Sequence, residues 1–126
     1  MTGTLSHSVV SSITVVSFSG VNNGSGAIGA TKGMNAGSGT PTATLVTTGN
    51  NSCVFGVGND FDNATSRTPR TAQVLVHQYL TPTGDTYWVQ RQNNPTPLGG
   101  TSVTINDSSP TGDRYNLAIC EILRAP

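Results

Sequence analysis

Asn59-Asp60-Phe61-Asp62-Asn63 sets carboxylate and amide oxygens along one short stretch of chain. Hard oxygen donors grouped in this way suit Ca²⁺. Asp60, Asp62 and Asn63 are therefore the candidate metal ligands, with Asp107 and Asp113 as further donors from a second loop. An EF-hand is excluded, because the third oxygen residue, the glycine and the distal Glu do not follow. The competing use is a turn whose Asp and Asn side chains bond their own backbone. A second constellation lies around the loop Thr81–Asp85. There Tyr79 faces Tyr87, His77 faces Val89 and Leu75 faces Arg91, while Trp88 and Gln90 fall on the opposite side with Val74 and Val76. Flat rings flanked by amides and a guanidinium suit a sugar: C–H groups stack on the ring and hydroxyls bond the amides. His77, Tyr79, Tyr87, Trp88, Gln90 and Arg91 are the candidate ligand-binding residues. Core packing competes for each aromatic.

Catalytic patterns are weak. No GxSxG elbow accompanies His77. Asp60 and Asp62 stand too close along the chain to straddle a glycosidic bond, and Glu121 is the sole Glu. A crosslink between the sole lysine, Lys32, and an Asn needs a buried strand lysine, whereas Lys32 sits in a glycine-rich stretch. Cys53 and Cys120 are 67 positions apart, which excludes a CxxC metal or redox motif. Two alternatives stay open for them: buried thiols, inert inside apolar strands, or a disulfide joining a middle strand to the last one. The chain reads as non-catalytic.

Composition narrows the class. Of 126 residues, 32 are Ser or Thr, 11 are Asn and 15 are Gly, with one Lys and one Glu. These residues disfavour helix. Net charge is zero, so there is no electrostatic footprint for nucleic acid. No apolar run approaches the ~20 residues that span a bilayer. Residues 1–7 lack a basic n-region and an apolar core and do not read as an intact export signal; the expectation is that such a signal has been removed or that the sequence starts inside a longer chain. The polar, lysine-poor composition points to an extracellular or cell-surface location.

Seven β-rich windows separated by turn signals can carry these groups: 9–21, 41–48, 52–58, 72–80, 86–92, 101–106 and 115–123. The glycines inside the third window suggest a bulge or a close backbone approach. Residues 22–40 read as a long glycine-rich surface loop and 59–69 as a polar loop. The pattern predicts an all-β antiparallel sandwich of jelly-roll type, with about seven strands in a single domain.

Ser17-Phe18-Ser19-Gly20-Val21, Cys53-Val54-Phe55-Gly56-Val57, Gly58–Asn63, Gly84–Gln90 and Asn116–Ile122, in this order, carry a resemblance. The chain resembles the C-terminal half of bacterial secreted β-sandwich domains appended to surface proteins. The resemblance implies adhesion or glycan binding, with a glycan or cell-surface polymer as partner. It also implies further strands ahead of Ser17, so two alternatives stand: a complete small sandwich, or part of a larger domain. In the second case Thr14–Phe18 is an unguarded edge strand, and the chain associates as a homo-oligomer or with a strand from another chain. A self-assembling structural subunit is thus the alternative function.

Overall fold

The computed structural model describes residues 3–9 and 11–126; Val10, within the first expected window, lies outside the described residues. Among the described residues, eight strands and no helix form an antiparallel β-sandwich, as the composition predicts: β1 (Ile28–Gly39), β2 (Thr42–Val46), β3 (Cys53–Asp60), β4 (Thr68–Pro69), β5 (Gln73–Leu80), β6 (Thr86–Gln92), β7 (Ser102–Ser109) and β8 (Asp113–Ile122). The layers are unequal. A five-stranded sheet runs β1-β8-β3-β6-β5, and a three-stranded sheet runs β2-β7-β4.

Period-two alternation builds the core. Ala43 and Leu45 of β2 and Val103 and Ile105 of β7 meet Val54, Trp88, Tyr115, Leu117 and Ile119 of the larger sheet. Two glycines on β3 make room for this layer. Gly56 lets Ile105 and Ile119 close over the strand. A Cβ on Gly58 would fall inside the indole of Trp88. The close backbone approach expected for this strand is thus met by a tryptophan.

Six of the seven expected windows are strands; the first is not. Residues 11–18 make no ladder, although they hold the longest unbroken β-branched stretch in the chain, Ile13–Val16, and among the described residues the only bridge of this arm is Val21 with Arg124. Propensity alone cannot make a strand without a neighbour offering hydrogen bonds. Instead the arm crosses the outer face of the larger sheet, where Phe18 meets Phe55 edge-on with centroids 5.0 Å apart. The expected glycine-rich loop is the second correction: most of it is β1, twelve residues long and paired with β8. Its small residues are needed there, because a Cβ on Gly29 would collide with Glu121 Oε2 and Thr48 Oγ1. The expected polar loop 59–69 ends in β4, which pairs with β7.

Glu121 fastens the layers together. Its buried carboxylate accepts hydrogen bonds from the Ala30 amide of β1 (3.0 Å), the Thr48 amide (2.8 Å) and hydroxyl (2.8 Å), and the Gly49 amide (3.0 Å). Thr48 and Gly49 follow β2, so one side chain of the larger sheet holds the exit from the smaller. Burial by itself would raise the acid's pKa. Hydrogen bonding by the Ser52 hydroxyl and by the Gly49, Ala30 and Thr48 amides outweighs it and lowers the pKa from 4.5 to about 2. A lowered native pKa contributes stability above the unfolded value, and that stability is lost as pH falls from 4.5 towards 2. Glu121→Gln should therefore cost on the order of 3 kcal/mol at neutral pH. In urea titrations the deficit should shrink steadily below pH 4.5; a deficit constant down to pH 2 would exclude this role.

Candidate functional site

Registers across the larger sheet place five outward side chains in one row. Asn35 pairs with Asn116, Asn116 with Asn59, Asn59 with Tyr87, and Tyr87 with Tyr79. With strands about 4.8 Å apart, the row spans roughly 19 Å. Asn116 Nδ2 donates to Asn59 Oδ1 at 3.2 Å. Asn35, Asn116 and Tyr87 are exposed, and Asn59 and Tyr79 half-buried. The amide end is an open groove of about 650 Å³ whose floor includes Val57 and Ala118. At the tyrosine end Ser11, Ser12, Thr81, Thr83 and Asp85 surround the two rings in a smaller recess. No charged side chain stands in the row. Beyond it Arg114 pairs with Asp62 at 3.2 Å and lies over Phe61.

The next row reads Gly33, Ala118, Val57, Val89, His77, and the one after it Thr31, Cys120, Phe55, Arg91, Val74. Ala118, Val57, Val89, Cys120 and Phe55 of these rows form an apolar floor, and Thr14, Val16 and Phe18 of the arm line the recess above it.

Four of the six expected ligand residues share this outer face. Tyr79 and Tyr87 are opposite one another as expected; His77 and Arg91 lie in the second and third rows. A register shift between Leu75 and His77 changes the remaining pairing: Val74, not Leu75, stands opposite Arg91. The bulge inserts one residue and turns the start of β5 over. Trp88 and Gln90 are corrections of another kind. Both are on the inner face, 2% and 0% exposed, so no bulky ligand reaches them. The three asparagines of the row escaped the sequence reading. Asn35 lay in the stretch read as a loop. Asn59 groups in sequence with its acidic neighbours, although its parity with Val57 and Phe55 marks it as outward.

The expected metal ligands do not converge. Asp60 turns inward at the end of β3. Its Oδ2 pairs with the buried Arg67 guanidinium, and its Oδ1 accepts from the Asp62 and Asn63 amides. Asp62 faces Arg114, and Asn63 Nδ2 donates to Asp113 Oδ1 at 3.4 Å. Among the described residues no three His, Cys, Asp or Glu side chains group as a metal site. These residues do not fit Ca²⁺: both carboxylates are engaged by arginines, and Asp60 makes the Asx-type turn that was the competing reading.

Cys53 and Cys120 are free thiols on the neighbouring strands β3 and β8, at diagonal positions of the outer face. Burial raises both pKa values, opposed at Cys53 by the charge of Arg91. Such thiols are poor nucleophiles.

Between the sheets Arg67 stacks on Trp88, its Cζ 4.7 Å from the ring centroid. Its amide donates to Gln78 Oε1, which draws the 61–67 loop inward. The neighbouring Asp107 is fully buried, and neither carboxylate oxygen has a hydrogen-bond partner among the described residues.

No protein-family model, no curated protein and no solved structure matches this chain.

Burial raises the Asp107 pKa from 3.8 to about 6, against the opposing effects of the Arg67 charge and the Gln90 amide. For a raised acid, native-state stability is greatest below the unfolded pKa and falls as pH rises to 6. Replacing Asp107 with Asn should leave stability at pH 4 little changed and raise it at pH 8, by up to about 3 kcal/mol. The difference in urea midpoints between wild type and variant, followed from pH 4 to pH 8, reads this directly. A variant less stable than wild type at pH 8 would show that the ionised carboxylate stabilises the core instead.

Proposed function

We propose that the chain is a non-catalytic extracellular module that lays an extended, neutral polysaccharide across the row Asn35–Asn116–Asn59–Tyr87–Tyr79. The observation that carries this reading is the register itself. Three amides and two phenols stand in line across the sheet, spaced by the strand repeat, and that repeat is close to the length of one pyranose in an extended chain. Tyrosine rings offer faces for sugar C–H groups, and amides offer both donors and acceptors for hydroxyls. The absence of charge in the row favours a neutral polymer over an acidic one. The serine- and threonine-rich, lysine-poor composition supports an extracellular setting, and a cell-surface or matrix glycan is the partner class.

A second reading is self-association into a structural subunit. The arm supports it, because Ile13 and Val15 remain 65% and 54% exposed in an uncharged, β-branched run.

Affinity gel electrophoresis against neutral β-glucan, mannan and xylan tests the first reading. Retardation by at least one polymer is expected. Tyr87→Ala and Asn59→Ala should each weaken it about tenfold, which corresponds to ~1.4 kcal/mol. Arg91→Ala, two rows away, should leave it unchanged. Migration unaffected by every polymer, or retardation insensitive to Tyr87→Ala, would refute the assignment.

A further inference from the structure

Four strands end a sheet here: β1 and β5 in the larger, β2 and β4 in the smaller. An open edge invites strand addition, and proteins blunt such edges with charge, proline, bulges or brevity. Three of the four carry such a device. β1 has Lys32 and two register shifts. β5 has the shift between Leu75 and His77. β4 is two residues long and includes Pro69. β2 has none: Thr-Ala-Thr-Leu-Val is uncharged and pairs with β7 through five successive residues without a shift. Among the described residues its other side has no partner strand.

The layer opposite is also unfinished. Three strands cannot cover five, and β2 packs against β1 and β8 at the margin of the smaller sheet. Met34 of β1 pairs with Leu117, so it points inward, yet it is 39% exposed. A fourth strand beside β2 would cover it.

We propose that the β2 edge accepts Ser11–Phe18 of a second copy, reciprocally, to close a two-fold dimer. This rests on the self-association reading and names its site. The occupant follows from three features. Residues 11–18 alternate Ile13 and Val15 against Thr14 and Val16, carry no charge and make no ladder. At roughly 26 Å for eight extended residues, the segment spans β2 completely. The chain's own arm is tied by Val21 to Arg124 and lies on the outer face of the larger sheet, the face turned away from β2. The added strand comes from a second copy, whose arm lifts off the outer face of its own larger sheet to reach β2, and the same exchange in both copies makes the interface isologous. Zero net charge removes long-range repulsion between them.

Light scattering coupled to size exclusion, on the full chain at high micromolar concentration, should give twice the 13.0 kDa chain mass. Val15→Lys and, separately, Ile13→Lys should weaken dimerisation about tenfold or more, ~1.4 kcal/mol. Both positions are exposed and outside any ladder, so folding is retained. Val57→Lys, on the outer face of the larger sheet, should leave the dimer intact. In a Cys53→Ala/Cys120→Ala background, Val15→Cys chains mixed with Thr44→Cys chains should be joined by a short bis-maleimide. A single 13.0 kDa species overturns self-association as a whole. A dimer indifferent to both lysine substitutions, or broken by Val57→Lys, overturns the β2 site while leaving self-association standing.

Discussion

A carboxylate between two β-layers is tolerated only if its lone pairs are filled, because burial of an unsatisfied charge costs far more than a hydrogen bond returns. Glu121 meets that condition with backbone amides from two separate segments, Ala30 on one side and Thr48 with Gly49 on the other. Much of the sandwich follows. Ala30 can donate only if β1 lies close against β8, and it lies that close only because residue 29 has no Cβ. Thr48 and Gly49 can donate only if the chain leaving β2 folds down onto the larger sheet. One side chain thereby ties edge strand, central strand and second layer, and its removal loosens all three.

The opposite end of the core uses a different solution to the same problem. Arg67 enters the interior from a loop, pairs with Asp60 and covers the Trp88 ring, while Gly58 provides the space beneath the indole. A buried ion pair of this kind adds little net stability over well-packed apolar residues. Its consequence is positional: the 61–67 loop is drawn into the sandwich, which delivers β4 to the second sheet. Asp60 and Trp88, the most chemically suggestive residues of their segments, are taken up by this architecture and removed from the surface.

What the surface keeps is set by register. Pairing of β1, β8, β3, β6 and β5 brings Asn35, Asn116, Asn59, Tyr87 and Tyr79 into one line, and the same pairing gathers the apolar rows over which the arm lies. The arm itself carries a conflict between levels. Its local preference is for strand, and its place in the fold offers no ladder. Such disagreement marks a segment whose partner is not satisfied within the fold, and it stands in the same chain as an edge that lacks the usual protections.

The all-β class, the sandwich and six of the strands were legible in the residues, because alternation and turn chemistry are local properties. The hairpin around Thr81–Asp85 put Tyr79 opposite Tyr87 from loop length alone. Three things were beyond local reading. Residues 28–39 are too small and polar to announce a strand; β8 supplies the ladder and Glu121 the reason for their small size. Residues 11–18 have every local mark of a strand and lack the neighbour that would make one. Trp88, Gln90 and Asp60 have the chemistry of a ligand site, but which face of a sheet turns inward is decided by the second layer, through contacts distant in sequence. The row of asparagines depends on the registers of four strand pairs at once, so it exists only in the folded sheet.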